Sequence, residues 1–129
     1  MILKAPDASG HRRGRPVFDF RKLNSMCNLM DSNMPTLRDF DEFFSMPGLI
    51  TVFDFKNYFD CIPLFIGDRK YTPVSTPLGI RIMDHLSYGF KNAAPIAQGI
   101  MNHLCQNVPH CMGYIDDGTI KHPINWGTK

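Results

Sequence analysis

A chain of 129 residues, 43% of them hydrophobic and with 10 Phe and 8 Met, can bury the core of one domain, which excludes a disordered tail. A formal net charge of +2 says nothing by itself about nucleic acid. Four cysteines (Cys27, Cys61, Cys105, Cys111) form no CxxC pair and no disulfide framework, and no signal peptide or membrane-spanning run is visible; an intracellular, reducing setting is expected, cytoplasmic or nuclear rather than secreted.

In chain order, "MILK" predicts a short strand, "APDASGHRRG" a turn-rich tip and "RPVFDF" the returning strand of a hairpin. His11, Arg12, Arg13 and Arg15 crowd that tip, a basic patch able to meet phosphates if it is more than a solvated loop. "TLRDFDEFF" predicts a helix after Pro35: Thr36 caps it with Asp39 three places on, and Leu37, Phe40, Phe43 and Phe44 share a face. Pro47 and Gly48 end it. "LITVFDF", Leu49 to Phe55, has the near-continuous apolar run of a strand buried on both faces. A carboxylate is costly inside such a run, which puts Asp54 at the strand's exposed end. "KYTPVS" and "IRIMDHLS" flank the turn "TPLG" as two more strands. A helix is predicted from about Asn92 to Gln106, with Pro95 in its first turn and Ile96, Ile100 and Leu104 on one stripe. A hairpin around Asp116 and Asp117 closes the order, which implies an α+β fold with helices on one face of a sheet. There is no internal repeat or domain linker, and the tail "HPINWGTK" adds no closing element, as expected for a piece of something longer.

The last hairpin, "HCMGYIDDGTIKH", sets like charges side by side. Asp-Asp-Gly is ordinary turn chemistry, since Asp tolerates left-handed backbone and Gly accepts it freely. His103, Cys105, His110 and Cys111 are zinc-ligand types, but their spacing fits no common zinc pattern. A third reading joins Asp54 to the pair. If its strand neighbours the hairpin, Asp54, Asp116 and Asp117 converge, and converging anions repel unless a cation sits between them. Mg²⁺ suits the place because it takes carboxylate oxygens together with substrate phosphates. Two such ions, roughly 3.5–4 Å apart, activate a 3′-hydroxyl and stabilise leaving pyrophosphate, the chemistry of a nucleotidyl-transferring polymerase.

Four blocks carry a resemblance. "RPVFDFRKLN", "FDFKNYFDCIPL", "TPLGIRIMDHLSYGFKNAAPIAQGIMN" and "YIDD" resemble, in order and spacing, the fingers block and motifs A, B and C of reverse transcriptases. The pattern is nearest to the gypsy-type LTR retrotransposon and plant pararetrovirus enzymes and runs from about Lys4 to His122. The resemblance implies a fingers–palm domain over 1–129, with 1–48 mainly fingers, 49–129 mainly palm, and the thumb absent. It implies that Asp54, Asp116 and Asp117 hold two Mg²⁺ ions (Mn²⁺ as an alternative), with the Phe55 carbonyl as a further ligand. Arg15 matches the arginine that grips the incoming triphosphate, with Arg12 or Arg13 replacing a fingers lysine that has no clean match. Phe59 matches the aromatic gate against a ribose 2′-hydroxyl, which favours deoxynucleotides over an RNA polymerase. Tyr88 and Gly89 match residues under the sugar and base, Tyr114 lies against the primer end, and Gln98 faces the template.

The departures are also specific. Tyr58 stands where the family has a small residue, Ser87 where motif B has Pro, and "NAAP" (Asn92 to Pro95) replaces "NAP". The implied partners are primer–template nucleic acid, dNTPs, and thumb and RNase H segments or other chains, with no membrane, and a virus-like particle joins the cytoplasm and nucleus as an expected setting. The rival reading from another class is a non-catalytic, palm-derived structural or nucleic-acid-binding subunit.

Overall fold

The order of elements in the computed structural model is β1 (Ile2–Leu3), β2 (Gly14–Arg15), α1 (Arg21–Met26), α2 (Leu37–Ser45), β3 (Gly48–Asp54), β4 (Pro73–Thr76), β5 (Gly79–Ile82), α3 (Ala93–Cys105), β6 (Cys111–Tyr114) and β7 (Asp117–Pro123). Short 3₁₀ turns lie at Tyr58–Cys61 and Arg69–Tyr71. The structure describes residues 2–3, 8–11, 14–15 and 17–124. The fold is α+β and every described strand pair is antiparallel, but the strands form three sheets rather than one: β1-β2, β3-β7-β6 and β4-β5. The chain divides into two units, Met1–Asn28 with Phe59–Ala93 and Leu29–Tyr58 with Ala94–Lys129. No helix among the described residues is long and apolar enough to cross a membrane.

In the first unit the expected hairpin forms, with Ile2 opposite Arg15. The strand expected across "RPVFDF" does not continue. The Asp19 carboxylate accepts from the Arg21 backbone N–H (3.1 Å) and from its guanidinium (2.6 Å), which turns the chain into α1, a helix the periodicity does not reveal. From α1, Asn24 donates its side-chain amide to the Gly89 carbonyl (2.8 Å) and accepts from Lys91 N (2.7 Å). The Asn of "RKLN" thereby fastens the Gly89–Lys91 turn with both ends of its amide. The β4–β5 hairpin turns at Thr76–Gly79 as the sequence implies. Among the described residues, Phe20, Phe59, Ile62, Val74, Leu86 and Ala93 are the buried apolar side chains of this unit.

The second unit is built on β3-β7-β6. Its α2 helix starts with the expected capping box: Thr36 Oγ1 accepts from Asp39 N, and the Asp39 carboxylate accepts from Thr36 N (2.6 Å). It ends against β7, where the Lys121 ammonium, 3% exposed, donates to the Phe43 carbonyl (2.6 Å) and satisfies an orphan acceptor of the last turn. Two expectations need correction. The buried stripe of α3 is Ala97, Gln98 and Met101, whereas Ile100 and Leu104 are exposed. The reason is a close approach to β6, where Met101 packs into the space that a side chain at Gly113 would take. Nor is β3 buried on both faces: Leu49 and Val52, on opposite faces of the strand by its alternation, are 77% and 70% exposed, so neither face is covered at these positions. The helices also differ from the one-face expectation. Register puts Phe53, Gly118 and Gly113 on the face that α3 meets, while Phe40 of α2 meets Tyr114, which shares the opposite face with Asp117 and Asp54.

Candidate active site

β3 ends at Asp54 and β7 begins at Asp117, and the register pairs these two residues directly. Opposed residues of an antiparallel pair carry their Cβ atoms roughly 4.5–5.5 Å apart, so two like charges are held face to face at one end of the sheet. Asp116 lies in the adjoining β6–β7 turn, and its carbonyl accepts from Phe55 N (3.0 Å). The backbone thus gathers all three predicted carboxylates. Asp54 and Asp117 are exposed and Asp116 half-buried. Among the described residues none of the three accepts a side-chain hydrogen bond or a salt bridge from a protein cation. An uncompensated cluster of hard oxygens is a donor set that suits a divalent cation.

The cluster does not by itself close into a ligand cage: among the described residues no three His, Cys, Asp or Glu side chains are close enough to hold an ion together. Mg²⁺ needs no such cage, since it is bound through one or two carboxylates and completes its shell with water and substrate phosphates. A structural zinc site does need one, which goes against the zinc reading. Cys105 and Cys111 do meet, Sγ to Sγ at 2.7 Å, but as free thiols, and His103 and His110 lie exposed outside the pair. Burial first, then the hydrogen bond from Cys111, pushes the Cys105 thiol up to about 12.

The turn bearing Asp116 is held in an unusual shape. Ile115 has φ of 57°, the left-handed region that β-branched residues avoid. Gln98, with 0% exposure, accepts from Ile115 N (2.8 Å) through Oε1 and donates through Nε2 to the Gly113 carbonyl (2.9 Å) and Asn102 Oδ1 (2.8 Å). Its amide is fully used inside the protein, so Gln98 does not face a template; the physical reason is that a buried amide must satisfy its own donors and acceptor. Across the site Tyr58 is buried, stacks on Phe55 (5.1 Å, 20°) and donates its hydroxyl to the Ala97 carbonyl (3.1 Å). Burial pushes its phenol up, and the nearby Asp116 charge adds to that. From the sequence alone Tyr58 stands out only as a misfit, and Gln98 has a different task. The signal that could have found Gln98 was its position on the same helix face as Met101 and Ala97.

Of the remaining predicted residues, Tyr114 pairs with Asp117 across β6 and β7, and the other described ones belong to the first unit. In the first unit Phe59 is 9% exposed and meets Tyr88 edge to face (4.6 Å, 77°), with Gly89 next in the chain at φ 90°. Tyr114 is 44% exposed and lies 6.2 Å from the Phe40 ring. Arg15 is placed by its backbone in β2. Its guanidinium, along with Arg12, Arg13 and Lys4, lies outside the described residues.

An antiparallel sheet that sets aspartates at adjoining strand ends, with helices packed on it, is the build of a polymerase palm. The chain belongs to the reverse transcriptase (RNA-dependent DNA polymerase) family, whose model it matches over residues 3–124. It is 30% identical over 122 residues to the retrovirus-related Pol polyprotein from transposon 297 of Drosophila melanogaster, covering 91% of this chain and 11% of that protein. Its fold is similar to the foamy viral protease–reverse transcriptase dRH in complex with double-stranded DNA, with a TM-score of 0.75 at 21% identity, over 92% of this chain and 20% of the other. The foamy viral enzyme in complex with an RNA/DNA hybrid gives 0.71 at 17%, over 92% and 16%. The chain thus spans about a tenth of the polyprotein and at most about a quarter of the foamy viral chains it matches.

Proposed function

We propose that this chain is the fingers–palm part of an RNA-directed DNA polymerase, which adds deoxynucleotides to a primer 3′-hydroxyl with two divalent ions. The observation that carries the reading is the register of Asp54 against Asp117, with Asp116 tied to the same strand end and, among the described residues, no protein cation paired with any of the three. Asp54, Asp116 and the Phe55 carbonyl are the metal ligands, and Asp117 is the less direct partner. Bound there, Mg²⁺ (or Mn²⁺) lowers the pKa of the primer hydroxyl and neutralises charge on the phosphates. The chain's own part is to hold oxygen donors in place beforehand, since groups fixed before the reaction cost no reorganisation during it. Arg15, with Arg12 and Arg13, grips the triphosphate. Phe59, Tyr88 and Gly89 wall the sugar, and Tyr114, exposed on the carboxylate face, lies against the primer end. Nucleic-acid partners are supported by relatives whose structures are complexes with double-stranded DNA and an RNA/DNA hybrid.

The test is extension of a DNA primer along an RNA template by the polypeptide that carries this domain. Incorporation of dNTPs that stops when Mg²⁺ is chelated supports the reading. Nucleic-acid binding without incorporation favours the non-catalytic subunit instead, and incorporation of rNTPs at the same rate would make it an RNA polymerase.

A further inference from the structure

Two consecutive residues of α3, Ala97 and Gln98, receive contacts from opposite sides of the carboxylate cluster. We propose that Tyr58 and Gln98 are positioning residues that moor both carboxylate-bearing segments to this one turn of α3, and thereby set how tightly the site holds a divalent ion. The inference rests on the metal-binding reading above and deepens it.

On one side, Gln98 bridges the two ends of the turn, accepting from Ile115 N and donating to the Gly113 carbonyl. The amide cannot flip without loss, because Nε2 also donates to Asn102 Oδ1, and Asn102 in turn donates to the Asn33 carbonyl (2.9 Å). Its target is the residue just before Asp116, held at φ 57°. Without that bond a β-branched residue has every reason to leave the left-handed region and carry Asp116 with it. On the other side, the chain after Asp54 reverses through Asn57, at φ 52°, and returns Tyr58 to α3. The Tyr58 hydroxyl donates to the Ala97 carbonyl, an acceptor already supplied by α3's own hydrogen-bond ladder. The bond therefore rescues no orphan; it fixes where the ring lies, and the ring stacks on Phe55. Phe55 N donates to the Asp116 carbonyl, which joins the two sides. The contacts run from Phe55 through Tyr58 and α3 to Ile115 and Asp116, and back to Phe55. Tyr58 stands where the resembling motif usually carries a small residue, which could not make this half of the mooring.

The experiment uses the full chain, with Mn²⁺ affinity read by electron paramagnetic resonance and amide hydrogen exchange read at Phe55 and Ile115. Tyr58→Phe removes only a hydroxyl. Gln98→Leu removes both turn bonds, and Ile115→Gly is added to it because glycine adopts the left-handed conformation without help. Each single variant is expected to weaken Mn²⁺ binding about fivefold, the equivalent of one ordinary hydrogen bond, while exchange quickens at Phe55 in Tyr58→Phe and at Ile115 in Gln98→Leu. Adding Ile115→Gly to Gln98→Leu should bring Mn²⁺ affinity back to within about twofold of wild type. Unchanged affinity in Tyr58→Phe and Gln98→Leu overturns the proposal, including when exchange quickens, since the bonds would then serve folding alone. If wild type shows no Mn²⁺ binding that Asp54→Asn removes, the metal reading has failed; exchange at Phe55 and Ile115 then decides the mooring by itself, with wild-type rates overturning it.

Discussion

Replacing Gly113 with Ala tests the packing that brings α3 onto the strand leading to Asp116. An added Cβ would overlap Met101 Cγ and lie 2.5 Å from its Sδ and 3.5 Å from Cys105 Sγ. Met101 has 0% exposure, and its Cγ is too near the helix backbone to swing clear, so α3 must shift. Such overpacking costs about 1–3 kcal/mol. At roughly 4 °C per kcal/mol for a chain of this size, Tm should fall by about 4–12 °C. Gly118→Ala is the control: its Cβ meets the outer edge of the Phe53 ring, and Phe53 is only half-buried on an edge strand, so the ring can tilt away. That substitution should cost less than half as much. Met101→Ala alone opens a cavity costing about 2–5 kcal/mol, but the new methyl of Gly113→Ala partly fills it, so the double variant should lose at least about 1 kcal/mol less than the two singles summed. Thermal and urea melts of wild type and the four variants measure this. Additivity within about 0.5 kcal/mol, or a larger loss from Gly118→Ala, would refute the contact.

Thr36→Ala should destabilise the chain by about 1 kcal/mol at neutral pH, seen in the same melts. The Thr36 backbone and hydroxyl bonds hold the Asp39 carboxyl below its usual range, so their stabilisation is present above the ordinary carboxylate range and lost as pH falls through the depressed value; the gap between variant and wild type should narrow in acid. Phe59→Val should admit ribonucleotides and also lower Tm, because the ring is both buried and against Tyr88. Unchanged sugar selectivity in single-nucleotide incorporation would leave Phe59 as core only. Iodoacetamide at pH 9 should label exposed Cys61 and spare Cys105, whose thiol is pushed up to about 12; mass spectrometry showing equal labelling would contradict that burial.

What could be read from the sequence was local or carried by a motif. Thr36 and Asp39 sit three apart and form their capping box whatever surrounds them. Asp54 falls at a strand end because a carboxylate does not stay inside an apolar run, and the register against Asp117 follows once β3 and β7 pair. The misses all depend on a third element. Met101, rather than Ile100, faces the sheet because Gly113 leaves room for it, and a stripe count along α3 cannot see the glycine on β6. Gln98 is expected to face the template until Ile115 and Gly113 are found to occupy its amide. β3 has the composition of a strand covered on both faces, but composition cannot say which elements pack on it, and Leu49 and Val52 are left exposed on its two faces. The first helix escaped because Asp19 and Arg21, not periodicity, start it.

The most direct measurement is the rate of single-nucleotide addition to a DNA primer on an RNA template, compared between wild type and Asp54→Asn at saturating Mg²⁺, with a melt of each protein alongside. Removing one carboxylate takes away charge stabilisation where it develops in the reaction and relieves repulsion with Asp117 in the folded chain. The expected result is incorporation lost by more than about a thousandfold, in line with removal of a principal electrostatic group, together with a Tm that holds or rises without Mg²⁺. Asp54→Asn that still incorporates dNTPs at a tenth of the wild-type rate would contradict the carboxylate site as the seat of nucleotidyl transfer.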